Sequence, residues 1–359
     1  MTKPRSIKIG KRTICDTNPT YFIADIGANH DGNLERAKLL IKLSADAGAD
    51  AVKFQHFKAE TIVSDVGFKN LDKKFLSHQS VWKKSVFEVY KEASINISWD
   101  NELKNTCDEF NIDYMTTPYD HDLVEHIDPI VQAYKIGSGD ITWIKHLQHI
   151  ASKKKPVLLA CGASKLEEIE RAVNAILKIN SEIVILQCNT NYTGENENFD
   201  HINLNVINTF KEVFPNLCIG LSDHTPGHST VLGAVALGCR VIEKHFTDDN
   251  NRIGPDHNFA MNPSSWKLMV EKTRELERSL GNGIKIVELN EKNTVVIQRR
   301  SIRANRNIQK GQNLSVEDVI MLRPCPVDAI EPWELNKYLG RKISRNIKDG
   351  EHIKETDFE

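Results

Sequence analysis

The segment FIADIG (22–27) is the first of eight short apolar runs that each end in a polar or charged residue. Most of these runs are separated by a stretch long enough for one helix, which is typical of repeated βα units. Eight such units predict an α/β fold, the (β/α)₈ or TIM barrel, whose active site lies at the carboxyl ends of the strands. The other runs are AVKFQ (51–55), DYMTTP (113–118), AYKIGS (133–138), VLLACG (157–162), IVILQCN (183–189), CIGLSD (218–223) and VIEKHF (241–246).

Polar residues at the ends of these runs are predicted to converge. They are far apart in the sequence, but all strand ends of a barrel open onto one mouth. We therefore expect one site built from many strands. The predicted neighbours are Asp25, Lys53, Gln55, Thr117, Lys135, Ser138, Cys161, Ser222, Asp223, His224 and His245.

Composition excludes several classes of function. A net charge of −2 and a pI near 6.7 provide no electrostatic field that would recruit nucleic acid or an anionic membrane. No apolar stretch approaches the ~20 residues that cross a bilayer, and MTKPRSIKIGKR (1–12) lacks the hydrophobic core of a signal peptide. Seven cysteines without paired spacing fit a reducing compartment. We expect a cytoplasmic protein without nucleic-acid or membrane partners.

Other elements are predicted around the barrel. SIKIGKRTI (6–14) alternates apolar and polar residues around a Gly-Lys turn, which indicates a hairpin that could plug the bottom of the barrel. Helices are predicted over 33–48 and from 263 to about 280. The gap at 56–112 is longer than the others, and long barrel loops usually build or cover the substrate site.

The sequence pattern changes after Gly281-Asn282-Gly283. We predict a barrel domain over 1–283, a polar linker over 284–295 and a small β-rich domain over 296–359. Within the last segment, NIQKGQNLSVED (307–318) and NIKDGEHIKETD (346–357) are alike and indicate a pseudo-repeat. A domain of this size has a modest core and often leans on a partner surface.

Two lysines, Lys53 and Lys135, end the second and fourth runs. Two cations aimed at one point suit a doubly anionic ligand, such as a phosphate ester that also bears a carboxylate. Thr117, Ser138 and Ser222 add hydroxyl donors at the same rim. The alternative is a pair of surface lysines, which is disfavoured because both lie in apolar strands.

Two histidines, His224 and His245, end the neighbouring seventh and eighth strands. Adjacent strands lie ~4.8 Å apart, so two imidazoles could share a metal ion and leave positions open for substrate oxygens and water. Core histidines without a ligand are the alternative. Cys161 and Cys188 end the fifth and sixth runs, but buried packing explains them better than a zinc site.

The segment DNNRIGPDHN (249–258) follows the eighth strand and places Asp256 over the mouth. A carboxylate there could hold sugar hydroxyls or accept a proton. A turn-stabilising aspartate is an equally good interpretation from spacing alone.

Ten motifs follow one another along the chain: ADIGANHDGNL, AGADAVKFQ, TTPYD, AYKIGSGD, IGLSDHT, GAVALG, EKHFT and GPDH, then RRSIRANRNIQKG and GRKISRNIKDG. In their order and spacing, the first eight resemble the sialic acid synthases, and the last two resemble the antifreeze-like (SAF) domain of that family. The resemblance extends over nearly the whole chain. It implies condensation of phosphoenolpyruvate with an N-acylated hexosamine aldehyde to give a nine-carbon 3-deoxy-2-ulosonic acid.

The resemblance also implies roles for individual residues. Phosphoenolpyruvate would be held by Lys53, Thr117, Lys135, Ser138 and Ser222. His224 and His245 would hold a divalent metal, usually manganese, with magnesium or cobalt as alternatives. The open-chain sugar would contact Gln55, Asp140, Tyr192 and Asp256. Arg323 would enter the barrel of a partner subunit and reach the acyl group, which implies a domain-swapped homodimer.

This chain departs from the commonest pattern of the family at several positions. Asp25 and Asp140 stand where glutamates are usual, Ala160 begins a segment that loses an expected hydroxyl, and Thr190 replaces an asparagine. A non-standard sugar is therefore plausible, and neuraminate, legionaminate and pseudaminate precursors all stay open. In the implied mechanism, metal at the two histidines polarises the aldehyde, and Asp25 handles the added water or stabilises the cation.

Two other functions stay open at this point. A barrel aldolase could form a Schiff base through Lys53 or Lys135. A catalytically silent carbohydrate-binding relative is the non-enzyme alternative, motivated by the two shortened acids at positions 25 and 140.

Overall fold

A computed structural model describes residues 6–76 and 78–359. Residues 1–5, which begin the predicted first domain and its N-terminal segment, lie outside the described residues. The chain divides into two compact units, 1–281 and 282–359, at the Gly-Asn-Gly stretch. Within the described ranges, no helix combines the length and apolar character needed to cross a membrane.

The first unit is a closed barrel of parallel strands, as predicted. The strands follow one another around the barrel in sequence order, and the last pairs with the first. In register, Asp25 lies between Lys53 on one neighbouring strand and His245 on the other. The barrel strands are β3 (Tyr21–Asp25), β4 (Ala51–His56), β5 (Asp113–Pro118), β6 (Tyr134–Ile136), β7 (Val157–Ala160), β8 (Ile183–Cys188), β9 (Cys218–Asp223) and β10 (Val241–His245).

Helices surround the barrel and cover the outer faces of its strands. Both faces of the strands are therefore buried, which explains their nearly continuous apolar runs. The two helices predicted over 33–48 and 263–280 are confirmed. The helices of the first unit are α1 (Leu34–Asp46), α2 (Ala59–Ile62), α3 (Asp65–Asn70), α4 (Val86–Ala93), α5 (Asp100–Glu109), α6 (His121–Ile127), α7 (Ile144–Ser152), α8 (Leu166–Leu177), α9 (Val206–Val213), α10 (Ser229–Ala236) and α11 (Pro263–Ser279).

The predicted N-terminal hairpin is formed by β1 (Ser6–Ile9) and β2 (Arg12–Cys15). Its turn requires a glycine at position 10 for two reasons. The φ angle there is +54°, and a Cβ atom would collide with the Asp113 carboxylate. Ile7, Ile9 and Ile14 join the apolar cluster of side chains inside the barrel. The hairpin therefore closes the end of the barrel opposite the strand ends that carry the polar residues.

The second unit is small, and its regular elements are α12 (Lys292–Gln298), β11 (Ser301–Ala304) and β12 (Val319–Leu322). The predicted pseudo-repeat is confirmed by equivalent contacts in its two halves. Arg306 pairs with Asp318, and Arg345 pairs with Asp357. Each aspartate also accepts a backbone N–H three residues earlier, and the halves meet at a bridge between Ile308 and Ile347.

Candidate active site

A cavity of about 180 Å³ opens at the carboxyl ends of the barrel strands. The end of a strand, or the loop that follows it, positions each of the predicted side chains that line this inner cavity. The barrel has thus gathered them from across the first unit. They are Asp25, Lys53, Gln55, Thr117, Lys135, Ser138, Tyr192, Ser222, His224, His245 and Asp256.

Two predicted neighbours do not line the inner cavity. The prediction for Asp223 is wrong because successive strand residues face opposite sides. Ser222 points inward, whereas Asp223 accepts hydrogen bonds from Lys244 (2.5 Å) and from Thr230 of α10. Cys161 likewise packs in the apolar layer between the strands and the helices.

Lys53 and Asp25 form a buried ion pair in the inner cavity. Lys53 Nζ lies 2.7 Å from Asp25 Oδ2, and the two side chains are 2% and 3% exposed. Gln55 Nε2 also donates to this carboxylate, at 3.2 Å. Burial alone would raise the pKa of Asp25, but the positive charge of Lys53 and its hydrogen bond to the carboxylate lower it to about 2. Asp25 is therefore a carboxylate at neutral pH.

A second buried ion pair joins Lys135 to Glu243, a residue that the sequence analysis missed. Lys135 Nζ lies 3.1 Å from Glu243 Oε1, and Ser222 Oγ donates to the same oxygen at 3.0 Å. Burial alone would raise the pKa of Glu243, but Lys135 and Lys53 lower it. Glu243 stands two residues before His245 on β10, so alternation along the strand could have placed it on the inner face.

The two predicted metal ligands, His224 and His245, lie side by side, with ring centroids 5.5 Å apart. Nδ1 of His224 hydrogen-bonds the carbonyl oxygen of Asn189 at 2.9 Å, so Nδ1 carries the proton. Histidine ligands of metals commonly donate one ring N–H to a backbone carbonyl in this way. Nδ1 of His245 is buried without a hydrogen-bond partner among the described residues.

These observations fit a divalent metal held by two histidine nitrogens. No group of three or more His, Cys, Asp or Glu side chains with metal-binding geometry occurs in the described ranges. A two-histidine site is therefore the arrangement that these residues support. Its remaining positions would be open to substrate and water, which is the arrangement of a catalytic site rather than a structural one.

Asp256 has both of the roles that the sequence left open, since it lies in the site and also stabilises a turn. Its carboxylate lines the inner cavity, and Oδ2 accepts the backbone N–H of Ala28 at 3.0 Å. This contact fixes the loop after β10 against the loop after β3. Gly27 is required there because a Cβ atom would lie 2.7 Å from Asp256 Oδ2, and because its φ is +51°.

Asp140 does not line the inner cavity but lies next to it, in a short 3₁₀ turn (Ser138–Asp140). Its Oδ2 atom is buried without a hydrogen-bond partner among the described residues. Burial raises the pKa of Asp140 to about 6. The charge of Asp140 also raises the pKa values of Tyr90 and Tyr119, which line the cavity, although burial is the larger cause for both.

The raised pKa of Asp140 should make stability depend on pH. Folding raises the pKa of this carboxyl from the usual 3.8 to about 6, so the folded protein binds its proton more tightly than the unfolded chain does. The folded state therefore becomes less stable as pH rises through this range. The variant Asp140→Asn should therefore match the wild type near pH 4 and unfold with a free energy about 1–3 kcal/mol higher near pH 7.5. Urea unfolding at both pH values measures this difference, with the exposed Asp122→Asn as control. An equal difference at the two pH values would contradict the prediction.

Aromatic side chains build the outer wall of the site. The Tyr192 ring lies 4.5 Å from that of His224 and 5.7 Å from that of Phe259. Trp82 and Tyr90, from the long segment predicted to cover the site, also line the inner cavity. A second, larger cavity of about 740 Å³ continues outward from this wall. We call it the vestibule.

Two family profiles match most of the chain. The NeuB family profile matches residues 40–285, and the SAF domain profile matches residues 299–359. The chain belongs to the NeuB family. This agrees with the resemblance found in the sequence, because similar proteins are named as synthases of N,N'-diacetyllegionaminic acid, pseudaminic acid and N-acetylneuraminate 9-phosphate.

The chain is also similar to individual proteins along most of its length. An uncharacterised protein of Methanocaldococcus jannaschii is 38% identical over 97% of this chain and 96% of its own length. The N,N'-diacetyllegionaminic acid synthase of Campylobacter jejuni is 34% identical over 94% of this chain and 99% of its own length. The crystal structure of the N-acetylneuraminic acid synthetase of Leptospira borgpetersenii, with citrate, matches with a TM-score of 0.71 and 30% identity, over 82% of this chain and 97% of that one.

Proposed function

We propose that this protein condenses phosphoenolpyruvate with an N-acylated hexosamine aldehyde to give a nine-carbon 3-deoxy-2-ulosonic acid and phosphate. The observation that carries the proposal is the pair of buried lysines, Lys53 and Lys135, beneath two adjacent histidines. Each lysine is at most 5% exposed and is already balanced by one buried carboxylate. Membership of the NeuB family supports the same reaction class.

Phosphoenolpyruvate would bind at the floor of the inner cavity. Its phosphate and carboxylate are anions, and charge-assisted hydrogen bonds from buried ammonium groups are among the strongest available to a protein. Thr117, Ser138 and Ser222 line the same cavity and add neutral donors. Both lysines and all three hydroxyls come from the barrel strands or the residues that directly follow them, so the anion site is rigid.

The reaction would begin with attack of C3 of phosphoenolpyruvate on the aldehyde carbon of the sugar. The new carbon–carbon bond leaves positive charge at C2, where water adds and loses a proton. Phosphate then leaves by cleavage of its bond to C2. Its ion pair with Lys53 holds Asp25 as a carboxylate beneath the two histidines. Of its two candidate roles, stabilisation of the cation at C2 therefore fits this negative charge.

The metal would be held by His224 and His245, with manganese as the preferred ion and magnesium or cobalt as alternatives. When bound, a divalent ion acts as a Lewis acid that polarises a carbonyl oxygen. Asp256 and Gln55 line the same cavity and would contact the hydroxyl groups of the open-chain sugar. Asp140 would act on the sugar only through the adjacent tyrosines, since it does not line the cavity.

Retention of isotope in the released phosphate tests this proposal. With phosphoenolpyruvate labelled with ¹⁸O at the oxygen that bridges C2 and phosphorus, carbon–oxygen cleavage puts the label in phosphate. Mass spectrometry of phosphate and of the nine-carbon acid, with a panel of N-acylated hexosamines, measures both products. No phosphate from any sugar, although the sugars bind, would support the silent carbohydrate-binding alternative.

A Schiff-base aldolase that works through Lys53 is disfavoured by the charge state of this lysine. Burial lowers the pKa of a lysine, but the carboxylates of Asp25 and Glu243 reverse this effect and raise the pKa of Lys53. A protonated amine is not a nucleophile, and Schiff-base lysines are activated by a lowered pKa. Borohydride trapping with the sugar should therefore leave Lys53 unlabelled. A label at Lys135, the other lysine that could form a Schiff base, would support the aldolase.

We further propose a domain-swapped homodimer in which Arg323 reaches the sugar bound by the partner subunit. Arg323 is exposed, and no described residue pairs with its guanidinium group. The second unit also exposes large apolar side chains: Val327 is 97% exposed and Trp333 is 80% exposed. Exposed apolar groups of this kind are typical of surfaces that bind a protein partner.

Subunit mixing tests the swapped arrangement. Arg323→Ala should raise the KM for the sugar and leave the dimer intact, because only hydrogen bonds to the acyl oxygen are lost. Mixing inactive Lys53→Ala subunits with Arg323→Ala subunits should recover about a quarter of the activity, since half of the dimers are mixed and each carries one intact site. Arg300→Ala, at another exposed arginine of this unit, is the control. No recovery despite proven subunit exchange would contradict the swap.

A further inference from the structure

A buried histidine, His257, fastens the loop after β10 to the exits of two barrel strands. It directly follows Asp256, whose carboxylate lines the inner cavity, and its own side chain is fully buried. Nδ1 of His257 lies 2.7 Å from Oγ1 of Thr247, just beyond β10, and Nε2 lies 2.9 Å from Oδ1 of Asp31, in the loop after β3. The imidazole therefore joins two neighbouring strand ends. We call Thr247, His257 and Asp31 the His257 bridge.

The two ends of the His257 bridge are themselves fixed. The Asp31 carboxylate can only accept a hydrogen bond, so Nε2 of the imidazole carries a proton. Nε of Arg36 lies 3.0 Å from the other oxygen of Asp31. The same guanidinium group makes two hydrogen bonds to Asp248, the neighbour of Thr247 in sequence. One arginine in the first turn of α1 therefore holds both ends of the bridge.

The loop packs closely around the ring of His257. Gly254 approaches so near that a Cβ atom there would lie 2.6 Å from the imidazole. The side chain of Asn250 donates to the backbone carbonyl oxygen of His257 at 2.9 Å. The imidazole is therefore the packing centre of residues 250–257, and its loss would leave a void within the loop.

We propose that His257 is a positioning residue for the sugar site, because it holds Asp256 where its carboxylate can bind the sugar. This inference rests on the proposed function, in which Asp256 contacts hydroxyl groups of the open-chain sugar. The backbone N–H of Ala28 fixes one oxygen of this carboxylate, and the His257 bridge fixes the backbone that carries it. Displacement of a contacting group by about 1 Å can cost about 100-fold in rate, so this support should affect turnover.

A second bridge of the same composition supplies a matched control. His56 is also fully buried, with Nδ1 2.6 Å from Thr116 Oγ1 and Nε2 2.9 Å from Asp100 Oδ1. This His56 bridge joins β4 and β5 to α5, and its three residues line neither cavity. Loss of either histidine should lower stability, but only loss of His257 should act on the sugar.

A double-mutant cycle tests whether His257 acts through Asp256, with the sugar of the panel that is turned over fastest. Asp256→Ala removes hydrogen bonds to a charged group, so kcat/KM for the sugar should fall by about 10- to 100-fold. His257→Ala should cause part of this loss, about 5- to 50-fold. In the Asp256→Ala background, the same change should alter kcat/KM by less than about twofold. The KM for phosphoenolpyruvate should stay within about twofold throughout, and His56→Ala should leave both constants near their wild-type values.

A milder pair of variants keeps the test valid if His257→Ala does not fold. Thr247→Val removes the hydroxyl of the His257 bridge and nearly preserves the shape of the side chain. It should lower kcat/KM for the sugar by about 2- to 10-fold. Thr116→Val, which removes the equivalent hydroxyl of the His56 bridge, should not lower it. Circular dichroism during heating measures the stability of all variants, and unchanged kinetics in Thr247→Val would overturn the inference.

The outcomes separate failure of this inference from failure of the proposed function. An equal factor for His257→Ala with and without Asp256 would overturn the positioning role, as would an equal loss in His56→Ala. Unchanged kinetics in Asp256→Ala would also overturn it and leave the condensation reaction intact. Release of no phosphate by the wild type from any sugar, although phosphoenolpyruvate binds, would overturn the proposed function and the inference with it.

Discussion

Replacing Lys53 with alanine is expected to lower kcat/KM for phosphoenolpyruvate at least about 30-fold and to affect the KM for the sugar much less. The structure buries Lys53 at the floor of the inner cavity, 2.7 Å from Asp25. Loss of one partner of a buried charge pair typically costs ~2–5 kcal/mol, and each 1.4 kcal/mol corresponds to about tenfold. Steady-state phosphate release with each substrate varied in turn measures the two effects.

A matched control is needed because Lys53→Ala also leaves Asp25 buried without its cation. Breaking a buried ion pair in this way often destabilises a protein by about 3–5 kcal/mol. Lys244 offers the comparison: it is 2% exposed and paired with Asp223, but it faces the helices and does not line the cavity. Lys244→Ala should lower stability without raising the KM for phosphoenolpyruvate. Equal effects of the two variants on this KM would mean that Lys53 acts only through folding.

Much of the fold could be predicted because barrel strands carry a repeated pattern. Apolar runs that end in polar residues recur at a spacing that fits one helix, and the closed parallel barrel follows from that repetition. The same pattern indicated that Lys53 and Gln55 converge with residues from distant strands. The carboxyl ends of all barrel strands lie at the same end of the barrel, whichever loops follow them. The residues at the floor of the site could therefore be predicted from the sequence.

The direction of individual side chains was predicted less well. Proximity to a strand end suggested that Asp223 joins the mouth, whereas alternation along β9 turns it toward α10. The same alternation places Glu243 inside, although only His245 of that segment was predicted to lie in the site. Both errors came from counting strand ends without assigning faces. Side chains of a strand alternate between its two faces, so residues two apart share a face. The predicted inward direction of His245 therefore implies that Glu243 also points into the barrel.

The outer part of the site could not be predicted from a local pattern. The residues that line both the inner cavity and the vestibule come from four separate segments, at residue 28, residues 82–93, residue 192 and residue 255. No periodicity links these segments, because each is a loop or a short helix positioned by contacts distant in sequence. The burial that raises the pKa of Asp140 has the same origin, since it depends on how neighbouring loops pack over the 3₁₀ turn.

Removal of divalent metal is expected to stop turnover completely, and manganese should restore it. His224 and His245 present two buried imidazoles side by side, and Nδ1 of His245 has no hydrogen-bond partner among the described residues. The lysines and hydroxyls of the inner cavity are assigned to phosphoenolpyruvate, so loss of the Lewis acid that polarises the aldehyde should cost more than loss of any single hydrogen bond. Chelator titration of phosphate release measures this effect.

Metal binding can be measured without activity, which separates a ligand role from a structural one. Calorimetric titration of the metal-stripped protein with Mn²⁺ should give about one site per chain, and His245→Ala should abolish it. The control is His146→Asn, since His146 is also fully buried but hydrogen-bonds the carbonyl oxygen of Pro118 away from the cavity lining. It should bind Mn²⁺ as tightly as the wild type. Full turnover by protein that contains no metal in elemental analysis would leave the two histidines as substrate-contacting residues and rule out the Lewis acid.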